Sequence, residues 1–138
     1  MPRDLFAELN AVAISAPVQN GSLVFRNGDP GSAAYVVRSG RIALIWCHSG
    51  HVYPMDTLGP GRIIGLPAVF NGEFSATAKA VEDSVLGFIQ ADEVLRMLEC
   101  DPSLMQAATK LLGQEVARMR TMIPRIASDG RLPLVAKP

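Results

Sequence analysis

The chain is poor in the residues that build cross-links and metal centres. Its two cysteines, Cys47 and Cys100, cannot make a disulfide framework or a cysteine-only metal site. Surplus charge of either sign is missing too. Thirteen basic residues balance thirteen acidic ones, so the sequence carries no global electrostatic footprint for nucleic acid. No apolar run approaches the ~20 residues that a membrane helix needs. The apolar stretch at 11–16 is too short for a signal peptide, and Asp4 and Glu8 stand where its basic flank belongs. The expectation is therefore a cytoplasmic protein without membrane contact. No Gly-x-Ser-x-Gly turn presents a nucleophile, and the acids are scattered, so enzyme activity is not expected.

What is present is a globular composition of one-domain length. Among 138 residues, 49% are apolar and 19% charged, which is enough to build one core and excludes a disordered chain. Leu5, Phe6, Leu9, Val12 and Ala13 recur at helical spacing, and Pro17 is expected to end that helix. Short apolar or alternating runs follow at 23–25, 34–38, 41–47, 51–58, 62–64, 76–81 and 84–90. Asn-Gly, Pro-Gly, Ser-Gly and Gly-Pro-Gly turns separate them. Short strands with turns about every ten residues predict a sandwich or jelly roll. After Gln90 the period becomes helical. Val94, Leu95, Met97 and Leu98 form one helix with Asp92 as its expected N-cap. Asp101 is expected to cap the next, with Pro102 in its first position. That helix runs to about Ile123 and stops at Pro124.

Three local patterns carry chemistry. The stretch 61–80 has the layout of a phosphate-binding loop: a glycine turn, a short apolar helical turn, then small residues. Its acid and base positions, however, hold Leu66 and Phe74. Cys47, His48 and His51 surround Ser49-Gly50; sulfur and imidazole that close together could hold zinc, while the same residues also read as a polar hairpin turn. Met105, Ala108, Leu112, Val116, Met119 and Ile123 are spaced 3, 4, 4, 3 and 4 along the last helix, which resembles a coiled-coil seam. Such a seam would pack either on a partner or on its own chain. Arg118, Arg120 and Arg125 read as a solvated helix end rather than a nucleic-acid patch.

The order of these pieces resembles the cyclic-nucleotide-binding domain of the CRP/FNR regulator superfamily. The residues that carry the likeness are Gly21, Phe25, Gly28-Asp29, Tyr35-Val36-Val37, Ser39-Gly40-Arg41-Ile42, Leu58-Gly59-Pro60-Gly61, Gly65, Ser75-Ala76-Thr77-Ala78, Leu86, Ile89 and Asp101-Pro102. It covers roughly residues 5–123 and implies a mainly β fold with flanking helices. This is a β-roll or jelly-roll barrel (double-stranded β-helix) with an N-terminal helix, a short cassette helix and two C-terminal helices. The domain would run over 5–123, its dimerisation helix over about 102–123, and a flexible tail over 124–138.

The likeness also implies a ligand site. In the family, a glutamate after the cassette glycine binds ribose, backbone N–H groups of the short helix face the cyclic phosphate, and an arginine beside a Ser or Thr clamps it. The matching positions here are Leu66 for the glutamate, Gly65 and Ala68 in the cassette turn, Phe74 for the arginine and Ser75 for the hydroxyl, followed by Ala76. Base contacts would come from Met119 and Arg120. Arg62 and Lys79 are the nearby cations that could replace the missing arginine, although each also reads as a solvated strand-face charge. The implied function is a non-enzymatic sensor domain, dimeric through the last helix and without the family's usual cyclic AMP pose. No cofactor is expected. DNA binding is not expected of this chain, because no helix-turn-helix follows. Two alternatives stay open: a cyclic nucleotide or similar anion held by backbone N–H groups and Ser75, and a haem or metal sensor using Cys47, His48 and His51. Four-cysteine iron–sulfur sensing is excluded by the cysteine count.

Overall fold

The computed structural model of the chain describes residues 4–114. Helix α1 (Leu5–Val12) begins where Asp4 caps it, the carboxylate accepting the Ala7 N–H at 3.0 Å. Leu5 and Leu9, one turn apart, are buried, whereas Val12 is exposed. The helix ends at Ala13, earlier than expected, and Pro17 is not its terminator. Instead Pro17 lies inside a strand, β1 (Ile14–Val18), that the run pattern missed. β1 is an edge strand, and an edge tolerates proline where the missing N–H would point away from its single partner.

Seven further strands follow: β2 (Leu23–Phe25), β3 (Ala33–Ser39), β4 (Ile42–His48), β5 (His51–Leu58), β6 (Ile63–Ile64), β7 (Thr77–Ala80) and β8 (Ser84–Gln90). Each matches an expected run to within two residues. They form two four-stranded antiparallel sheets, ordered β1-β8-β3-β6 and β2-β7-β4-β5. Ser49 and Gly50, with φ of 53° and 77°, make the tight turn joining β4 to β5, as the hairpin reading expected.

Two large clusters make the core. One holds the inner sheet face, with Phe25, Ile42, Leu44, Leu58 and Leu86 among its members. The other joins the helices to the outside of β3, with Leu5, Leu9, Leu66, Val94, Leu98 and Leu104. β3 serves both: Val37 belongs to the first cluster and Val36 to the second, so this strand is apolar on both faces.

Helix α3 (Ala91–Cys100) starts after Gln90, which makes no side-chain cap. Asp92 is therefore not the N-cap; it sits with Glu93 in the first turn, where a negative charge favours the positive helix end. Asp101 does cap the next helix. Its carboxylate accepts the Ser103 N–H at 3.0 Å and the Ser103 O–H at 2.7 Å. Residues 102–114 are helical, with Pro102 at the start.

Candidate functional site

The 61–80 stretch builds the site. β6 ends at Gly65, whose left-handed backbone (φ 81°) turns the chain into α2 (Leu66–Asn71), and Gly72 (φ 89°) ends that helix in the same conformation. Leu66, Ala68 and Val69 are the buried face of α2. Its other end is tied by backbone bonds to the 26–30 turn. The Phe74 N–H donates to the Asp29 carbonyl at 2.9 Å, and the Gly28 N–H donates to the Phe74 carbonyl at 2.8 Å. These two bonds hold Phe74, the residue that the resemblance puts in the arginine position, and its side chain is buried.

Phe74 is only 4% exposed. Its ring stacks on Phe25 with centroids 3.7 Å apart and planes 11° from parallel. It also closes on the cassette turn: a Cβ at Gly65 would come within 2.8 Å of the Phe74 ring edge. Gly65 is thus required twice, by its positive φ and by this contact.

Between the β-roll, α2 and the last helix lies a cavity of about 340 Å³. Gly65, Leu66, Ala68, Phe74, Ser75 and Ala76 all line it, so the fold brings the expected cassette residues together. Its buried wall is apolar, with Phe25, Leu44, Leu58, Ile64, Phe74 and Ala76. Its exposed rim is polar and includes Arg62, Ser75, Lys110 and Gln114. Arg62 reaches the Asp56 carboxylate at 3.7 Å in a partly exposed ion pair. Lys79 points away, exposed between the fully buried Ala78 and Ala80, and is a strand-face charge.

Lys110, Gln114 and Phe25 were not expected at the site. Phe25 was legible only as a family residue. Lys110 flanks the Leu104–Ala108–Leu111 stripe, but the spacing does not tell what that stripe covers. Ala108 is fully buried and packs, with Leu104, in its own chain's core; Met105 and Leu111 lie against the same cluster. At Ala108 the expected seam therefore faces its own chain, in the same buried cluster as Val94 and Leu98 of α3. Leu112 is half-buried and lines the cavity. Val116, Met119, Arg120, Ile123 and the 124–138 tail lie outside the described residues, as do the side chains of Cys47 and His48. His51 is exposed beside the hairpin turn, and the described residues contain no group of three or more His, Cys, Asp or Glu side chains able to hold a metal.

This geometry agrees with the comparison to known proteins. The family model of the cyclic nucleotide-binding domain matches residues 16–101. The chain belongs to that family. Its relatives are CRP/FNR-type regulators. It is 33% identical over 98 residues to the cyclic AMP receptor protein of Thermus thermophilus, covering 70% of this chain and 45% of that one. It is 29% identical over 112 residues to the transcriptional regulatory protein btr of Bordetella pertussis, covering 80% and 46%. The crystal structure of the Thermus thermophilus catabolite activator protein superposes with a TM-score of 0.77 at 26% identity, covering 89% of this chain and 59% of that one. The chain spans less than half the length of these two curated relatives. No helix among the described residues is long and apolar enough to cross a membrane.

Proposed function

We propose that this domain is a non-enzymatic effector sensor whose cavity does not hold cyclic AMP in the pose that the family cassette implies. The observation that carries this is the Phe74–Phe25 stack seated against Gly65. A phosphate placed there would leave water with an aromatic ring where its counter-charge belongs, and a buried anion without a partner is strongly disfavoured. Losing an arginine clamp costs about 2–5 kcal/mol, and losing the ribose hydrogen bond at Leu66 adds about 1–3 kcal/mol. Together they weaken binding by at least about a hundredfold.

Calorimetry with cyclic AMP and cyclic GMP tests the reading. Little or no heat of binding at micromolar ligand is expected. A micromolar dissociation constant that disappears in Ser75→Ala overturns it, because the cassette would then be working through its hydroxyl and backbone donors. The output side of the proposal is a homodimer acting in the cytoplasm through protein contact, without DNA binding by this chain. Its dimer contact lies on the last helix away from Ala108. Light scattering that returns a monomer at every concentration removes that part.

A further inference from the structure

The polarity of the cavity runs opposite to what a cyclic phosphate bound at the cassette turn requires. The part nearest Gly65 and α2 is lined by buried apolar rings and branched chains, and the cations stand at the exposed rim. We infer that the cavity takes a small organic acid with an apolar or aromatic body and a single carboxylate, its body against the Phe74–Phe25 stack and its carboxylate at Arg62 and Lys110. This rests on the reading that Phe74 fills the phosphate end.

Charge and size both select this class. The ionisable groups lining the cavity from the described residues are Asp4, Arg62 and Lys110, and Asp56, 3.7 Å from Arg62, adds a second carboxylate, so the case for an anion rests on which cations can take one. Asp4 is committed elsewhere, since its carboxylate caps α1 at the Ala7 N–H. Lys110 has no ion-pair partner among the described residues. Among the described residues Arg62 has one ion-pair partner, Asp56 at 3.7 Å, with side chains 49% and 30% exposed; ion pairs this exposed are weak and exchange readily for a better-placed anion. A volume of about 340 Å³ is at the small end of the range for ligand pockets, about 300–1,000 Å³. Apolar walls with a few convergent polar groups are the usual composition of such sites.

The test is calorimetry on the 138-residue protein with 3-phenylpropanoate and decanoate, each compared with its neutral primary amide, at low and high salt. The acids are expected to bind more tightly than the amides. Arg62→Gln and Lys110→Gln should each weaken the acids by about two- to fivefold, the range for exposed ion pairs, and leave the amides unchanged. High salt should weaken the acids alone. Both residues are exposed, so the unliganded variants should melt with the parent. Equal affinity of acid and amide, variant effects shared by both, or no binding of either acid at millimolar concentration each overturn the inference. A parallel titration with cyclic AMP keeps the two readings apart: failed acids with silent cyclic AMP sink only the ligand class, whereas cyclic AMP binding lost in Ser75→Ala sinks the filled cassette itself.

Discussion

Replacing Phe74 by alanine tests the structural premise beneath the site. The ring is 4% exposed and stacked at 3.7 Å on Phe25, so the substitution removes a full aromatic contact from the core. Phe→Ala changes in cores cost about 3–5 kcal/mol, and the spread reflects how well the site collapses. Here the ring borders an existing cavity of about 340 Å³, into which neighbours and water can move. The expected loss is therefore at the lower end, about 3 kcal/mol. Against a typical total of about 5–15 kcal/mol this is a large fraction. It should lower the midpoint of thermal unfolding by on the order of 10 °C. Urea unfolding followed by circular dichroism gives the free energy directly, and the slope with denaturant should be unchanged. Part of the loss belongs to the stack itself. A double-mutant cycle with Phe25→Ala should return a coupling of about 0.5–1.5 kcal/mol, the range for aromatic pairs. A loss below about 1 kcal/mol, well under the range for a packed core ring, together with no coupling, would refute the packed ring and reopen the phosphate end of the cavity.

Other perturbations address the frame that positions the site. Arg38 ties α1 to the sheet, donating from Nε to the Asn10 side chain at 2.7 Å and from one terminal nitrogen to the Asn10 and Ala13 carbonyls at 3.0 Å each; Arg38→Met should cost about 1.5–3 kcal/mol and speed amide exchange in residues 5–12, and unchanged exchange there would show that the helix is held otherwise. Gly40→Ala should destabilise by more than about 2 kcal/mol, because φ is 91° and a Cβ would lie 2.6 Å from the Ser84 Cα, whereas Gly50→Ala, with φ of 77° and open space, should cost only about 1 kcal/mol; equal losses in urea melts would mean that the Ser84 contact is unimportant. Burial raises the Tyr35 hydroxyl above the ordinary value of 10.0. The folded state then holds that proton more tightly than the unfolded chain does. Stability from this group is complete below pH 10 and declines as pH rises from there through the folded pKa. Tyr35→Phe should flatten that decline, and an unchanged alkaline slope would refute the assignment.

Much of the frame was legible because it rests on short-range chemistry. Glycine and Ser-Gly turns punctuate the strands, and the Asp101-Pro102 cap opens the last helix where the pair predicts it. The edge strand at 14–18 was not legible. Proline argues against a strand unless the residue is known to sit at an edge, and edge position is a property of the sheet. Asp92 failed as a cap for a related reason: the helix starts directly from β8, so Asp92 already lies within its first turn.

At the site, the sequence alone determined the order of the 61–80 stretch and that Leu66 and Phe74 stand where the family resemblance implies an acid and a base. Those are matters of order and identity along the chain. Whether Phe74 swings out or packs in depends on a ring far away along the chain, Phe25, and on the backbone bonds to Gly28 and Asp29 that aim it. The same holds for Lys110, which lines the same cavity as Arg62 only because the last helix lies over it, and for Ala108, whose helical period suits a partner and its own core equally. Periodicity says that a face is apolar. Only the packed tertiary structure, in which each apolar face must find a surface to cover, decides which surface that is.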